Sequence, residues 1–132
     1  ETERLQLAHA RVGQGFFRKQ VILLDPACRV TGVTDTRLLV ASHIKPWREA
    51  SNAERLSGYN GLLLSPHIDA LFDEQFITFD DDGRMRVHPS LSREVLDRWS
   101  IDPDKRVEQF RPEQASFLAH HRKLFTRRAT SP

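Results

Sequence analysis

Apolar residues recur along this chain first at helical spacing, then at strand spacing, then at helical spacing again. Leu5, Ala8 and Val12 lie three to four residues apart behind Thr2, a residue able to cap a helix. Gly13 and Gly15 interrupt the pattern. Phe17, Gln20, Val21 and Leu24 resume it until Asp25-Pro26 stops it, which predicts N-terminal helices within residues 2–25. Cys28 to Thr31 is a short strand candidate closed by Gly32. Arg37 to His43 is a stronger one, because Leu38 to Ala41 is almost unbroken. Pro46 and Trp47 end it, and Trp47 is expected to pack in the core rather than to stack on a base. Ser51 to Leu56 allows one or two helical turns. Asn60-Gly61 closes a turn cluster that begins at Ser57. After the short apolar run Leu62 to Leu64, Ser65 and Pro66 form a specific helix start, with Ile68, Leu71 and Phe72 facing inward to about Glu74.

Beyond that helix, Phe76 to Asp80 and Arg84 to His88 predict a hairpin around Asp81-Asp82-Gly83. Ser90 to Trp99 reads as an amphipathic helix. Arg111-Pro112 precedes a C-terminal helix, about 113–127, with Phe117, Leu118, His121 and Leu124 at core spacing. The tail after Arg128 is expected to lack structure. Two short strands, a hairpin and several helices give an α+β class, and no linker-like stretch divides residues 1–132 into more than one domain.

Composition narrows the function. The chain has 132 residues, 39% hydrophobic and 29% charged, with a formal net charge of +2. That size supports a genuine core. The charge alone is weak support for a nucleic-acid partner; placement decides. No run approaches the roughly 20 apolar residues of a membrane span, and no signal peptide opens the sequence. One cysteine, Cys28, excludes a disulfide framework and a four-cysteine zinc knuckle; a cytoplasmic setting is expected. The chain starts at Glu1 without an initiator Met, so a fragment of a longer protein is expected.

Chemistry concentrates between Ser42 and Asp73. Asp69 and Asp73 stand four apart and share a helix face, where like charges repel unless a cation joins them. Carboxylates suit Mg²⁺ or Mn²⁺. Spacing alone equally fits two solvated surface acids. His43 ends the apolar strand; an imidazole there can take a proton from water or can simply be a partly buried structural group. Asn60 fits a turn residue, or a side chain that ties its loop to the His43 strand and fixes the imidazole. His67 lies two residues before Asp69, about 200° round the helix, away from the acidic pair.

The motifs Gly13-Gln14 with Phe17-Arg18, Cys28-Arg29-Val30-Thr31-Gly32, Ala41-Ser42-His43-Ile44-Lys45-Pro46-Trp47, and Asn60 through Phe72-Asp73 together resemble HNH endonucleases, in particular those found in bacterial restriction-type enzymes. The resemblance covers about residues 11–88. It implies a ββα-metal finger core, about 28–75, with flanking helices and an additional hairpin. It makes His43 the general base and Asn60 the middle asparagine. The pattern's last histidine falls on Asp69, and Asp73 matches the second helical metal ligand. Ser42 stands where many members place a metal-binding Asp or His. His67 is the reserve ligand should the register differ.

The implied cofactor is a divalent cation, Mg²⁺ or Mn²⁺ first, with Ni²⁺ or Zn²⁺ as alternatives. The implied partner is DNA, contacted by Arg11, Gln14, Arg18, Lys45 and Arg48. A specificity domain is expected N-terminal to Glu1, and a homodimer would be one way to cut both strands. The alternative is a catalytically degenerate HNH-fold domain that binds DNA or serves as a scaffold.

Overall fold

The computed structural model describes residues 2–129. The expectation for the tail falls largely on residues 130–132, outside the described residues. The fold is α+β. Its centre is a two-stranded antiparallel sheet, β1 (Val40–His43) against β2 (Gly61–Leu64), followed by helix α3 (Pro66–Asp73). The register pairs Val40 with Leu64 and His43 with Gly61. All four β2 residues are buried, which is why this strand has no alternation. Ile68, Leu71 and Phe72 of α3 join the same core.

Helix α1 (Glu3–Leu24) is continuous, where the sequence predicts two helices broken at Gly13 and Gly15. A helical glycine costs only about 1 kcal/mol relative to alanine. Here the Thr2 side chain caps the first turn at Leu5 N–H, and Phe17 and Val21 anchor the second half. The apolar residues of its first half do not enter the core: Leu5 and Val12 are exposed.

Gly61 explains how closely α1 sits on the finger. Its backbone is extended, so it is not the turn glycine that Asn60-Gly61 suggests. A Cβ there would lie 2.5 Å from Val21 Cγ2 and 2.6 Å from Phe17 Cζ. The missing side chain is what lets α1 approach the strand end opposite His43.

Three further expectations are corrected. Residues 28–31 form a turn, closed by Gly32 N–H donating to the Cys28 carbonyl at 2.8 Å with Gly32 at φ 78°. The strand predicted from Arg37 begins at Val40, because Asp35 caps a single 3₁₀ turn over Thr36–Leu38. Ser65 precedes α3 as predicted, but its hydroxyl pairs with Thr31 Oγ1 at 2.6 Å instead of capping the helix.

The remaining elements pack around the β1–β2–α3 core. Helix α2 (Asn52–Leu56) carries a capping box between Ser51 and Glu54. Strands β3 (Ile77–Phe79) and β4 (Met85–Val87) form the predicted hairpin, with Gly83 at φ 99° in its turn. Helix α4 (Arg93–Arg98) is shorter than predicted and starts from Ser92. Helix α5 (Ala115–Arg127) follows a 3₁₀ turn and packs on β3. No helix among the described residues is long and apolar enough to cross a membrane.

Candidate active site

His43 closes β1, and two groups fix its ring. The Phe17 ring stacks on it with centroids 3.7 Å apart and planes 7° from parallel. The Arg55 carbonyl, at the end of α2, lies 2.9 Å from Nε2. A carbonyl can only accept, so Nε2 carries the proton and Nδ1 keeps the lone pair. Burial lowers the pKa of His43 below its ordinary 6.5; the Arg55 carbonyl opposes that shift and the Arg55 charge adds to it. The imidazole is therefore neutral at pH 7 and able to accept a proton.

Asn60 is fully buried and all its side-chain bonds go to backbone. Oδ1 accepts from Lys45 N–H at 2.8 Å, and Nδ2 donates to the carbonyls of Lys45 (3.3 Å) and Glu54 (3.2 Å). Its own carbonyl accepts from Ile44 N–H at 3.0 Å. It thus joins the segment just after His43 to the helix whose last carbonyls hold His43. Asn60 reaches the imidazole only through these backbone segments.

Asp69 and Asp73 lie on α3 across a cleft from His43. The cleft, of 630 Å³, is lined by Ser42, His43, Trp47, Arg48, Asp69 and Asp73 among others. The Asp69 carboxyl is held above its usual range, first by burial and also by the charge of Asp73, while a hydrogen bond with the Ser42 side chain pulls the other way. Two mutually repelling carboxylates, one of them partly desolvated, suit a hard divalent cation. Ser42, expected only as a missing ligand, is instead a buried partner of Asp69. Among the described residues no three His, Cys, Asp or Glu side chains gather as a metal cluster; the carboxylate residues lining the cleft are Asp69, Asp73 and Glu74.

The other predicted residues divide. Arg48 is exposed and lines this cleft. Gln14 lines two neighbouring grooves that also include His43 and Trp47. Arg11 is exposed on α1, outside these clefts. Arg18 donates to the carbonyls of Thr36 and Leu39, the latter at 2.8 Å, and so braces the segment leading into β1. Lys45 pairs with Glu54 at 3.0 Å. His67 is not brought to the acidic pair; its ring lies edge-on to Trp99 at 5.7 Å.

Trp47 is not core: it is 45% exposed, with the Arg55 guanidinium 3.8 Å from its ring centroid. Phe17 and the Arg55 carbonyl were not foreseen as parts of the site. A backbone carbonyl leaves no trace in residue type, and Phe17 reads from sequence only as one member of a helical stripe.

Residues 28–80 match the family model described as HNH endonuclease. The matched stretch contains β1, β2, α3 and the first hairpin strand, and it lies inside the broader range suggested by the sequence motifs. The comparison with curated proteins finds no match.

Proposed function

Taking residues 28–80 as an HNH endonuclease finger, we propose that the chain is a metal-dependent DNA endonuclease domain, folding as one unit and acting as the cleavage module of a larger restriction-type enzyme. The observation that carries this is the setting of His43. Its ring is oriented by Phe17 and the Arg55 carbonyl and lines the same cleft as Asp69 and Asp73.

His43 accepts a proton at Nδ1 from the water that attacks phosphorus. Asn60 keeps the imidazole in place through the two backbone segments it joins. Ser42 orients the Asp69 carboxylate. Asp69 and Asp73 would hold Mg²⁺ or Mn²⁺, which when bound supplies positive charge to the scissile phosphate and the departing oxygen. Arg48 at the rim, with Gln14 and Arg11 along α1, supplies phosphate contacts. Arg18 and Lys45 support the site through their internal partners.

Incubating the protein with supercoiled plasmid and Mg²⁺ or Mn²⁺ tests this reading. Nicking that disappears in His43→Ala is expected. Intact plasmid under both cations at high protein would overturn it.

A second reading, a finger that binds DNA without turnover, draws on the two-carboxylate site with Ser42 in the third position. A Mn²⁺-induced rise in melting temperature that is lost in Asp69→Asn favours the active domain. A chain indifferent to Mn²⁺ favours the degenerate one.

A further inference from the structure

His43 and Trp47 both line each of the three clefts that meet at the site: the acidic cleft, the groove under α1, and the one bounded by Phe17, Arg18 and Leu39. A phosphate reaching His43 therefore passes Trp47. This indole is nearly half exposed beside polar and basic groups. Burying it would be favourable, so its position needs a reason.

One face of the ring is covered by Arg55, and Arg55 is itself fixed. Its Nε donates to the Trp47 carbonyl at 2.8 Å and its Nη1 to Asn52 Oδ1 at 3.2 Å. The indole is thus held against a guanidinium while nearly half of its surface stays exposed. A rigid aromatic plane backed by a cation, beside a nuclease base, is the chemistry that accepts a nucleobase face.

We propose that Trp47, backed by Arg55, is a stacking platform for one unpaired nucleobase next to the cleaved phosphate. In paired duplex DNA both faces of each base are covered by neighbours. A base can lie on Trp47 only where it is unstacked or extruded. The site therefore favours DNA with an unpaired nucleotide at the cut, such as single strands, gaps and bulges, over perfect duplex. This deepens the nuclease reading and rests on it for the identity of the ligand, but stacking itself can be measured without cleavage.

Trp47 and Trp99 are the only tryptophans in the chain. In Trp99→Phe, emission reports Trp47 alone. This protein is titrated in EDTA with a single strand, a duplex carrying one unpaired base, and the matched perfect duplex. The first two are expected to quench Trp47 emission and the perfect duplex to leave it nearly unchanged. Trp47→Ala is expected to lose about tenfold or more in affinity for the two unpaired substrates and little for the duplex, whereas Trp47→Phe keeps most of it. Melting curves confirm that the variants fold; if Trp47→Ala does not fold, the quench and the Trp47→Phe affinities decide. Equal quench by perfect duplex, or no quench by any of the three, overturns the platform. A protein that stacks single strands yet never nicks plasmid keeps this inference and loses the nuclease reading. One that nicks without the quench does the reverse.

Discussion

Two histidines of this chain are built almost alike, in different parts of the molecule. His43 on β1 stacks on Phe17 at 3.7 Å and 7°, with Nε2 on the Arg55 carbonyl at 2.9 Å. His121 on α5 stacks on Phe72 at 3.8 Å and 5°, with Nε2 on the Phe72 carbonyl at 2.8 Å. Both rings are thereby set in the same tautomer, with Nδ1 as the acceptor. They differ in what Nδ1 meets. In His121 it accepts from the buried Thr78 hydroxyl at 2.7 Å, and the ring is only 1% exposed. In His43 Nδ1 has no hydrogen bond among the described residues, and the half-buried ring lines a cleft. The aromatic stack and the carbonyl orient an imidazole in both places; only His43 leaves its second nitrogen beside a cleft.

Exchanging the two losses gives the largest contrast. His43→Ala is expected to lower cleavage by about 10²–10⁴-fold while the melting temperature changes little. His121→Ala should do the opposite. It leaves the buried Thr78 hydroxyl without its partner, while the Phe72 carbonyl keeps the Gln75 N–H at 3.1 Å, at a cost of about 2–4 kcal/mol with the lost packing. Below its lowered melting point it should still cut. Plasmid nicking and urea denaturation of both variants check this. A His121→Ala that stays stable but cannot cut would erase the distinction.

The stack beneath His43 can be disturbed without touching the imidazole. Gly61→Ala places a methyl where Phe17 and Val21 already stand. Overpacking of this kind costs about 1–3 kcal/mol. The shift of Phe17 should lower kcat more than KM, measured by steady-state cleavage of an oligonucleotide. Full kcat in a destabilised Gly61→Ala would mean that the Phe17 stack does not orient the base.

Much of this was legible in the sequence because it depends on punctuation and period. Ser65-Pro66 located α3, the apolar run before His43 located β1, and the shared face of Asp69 and Asp73 followed from helical spacing. Three features were hidden for definite reasons. Gly13 and Gly15 look like breakers, yet packing of Phe17 and Val21 outweighs their propensity. Gly61 looks like a turn residue because composition cannot separate a need for positive φ from a need for close approach. Trp47 reads as core because a large aromatic usually is, and nothing in the local pattern marks its ring as held outward by Arg55.

Acid separates the two histidines next. Burial pushes His121 down to about 4, opposed by the Phe72 carbonyl bond and aided by the charges of His120 and Arg122. An unfolded histidine titrates near 6.5. Between those values the unfolded chain binds a proton that the folded one refuses. The stability from a neutral His121 is thus complete above about pH 6.5 and is lost as pH falls toward 4, by about 3 kcal/mol in all. Urea midpoints for the wild type and His121→Gln, compared at neutral pH and near pH 4.5, should show a steeper acid loss in the wild type. Parallel losses would mean that other groups carry the acid sensitivity.

The smallest effect concerns the charge beside His43. Arg55 acts on that ring twice, with opposite signs: its carbonyl favours the protonated form and its guanidinium opposes it, both after the larger influence of burial. Arg55→Gln keeps the carbonyl and removes the charge. The His43 pKa should then rise toward its ordinary value. In the proposed mechanism His43 must be neutral to take a proton, so the acid limb of the pH–rate profile should move to higher pH in the variant. The loss that comes from the titration should grow as pH falls, on top of a pH-independent loss from removing the guanidinium that backs Trp47. Single-turnover cleavage rates across the acid range measure the midpoint. A midpoint that stays in place would leave burial against Phe17 as what keeps this imidazole neutral, and one that moves to lower pH would contradict the electrostatic account of the site.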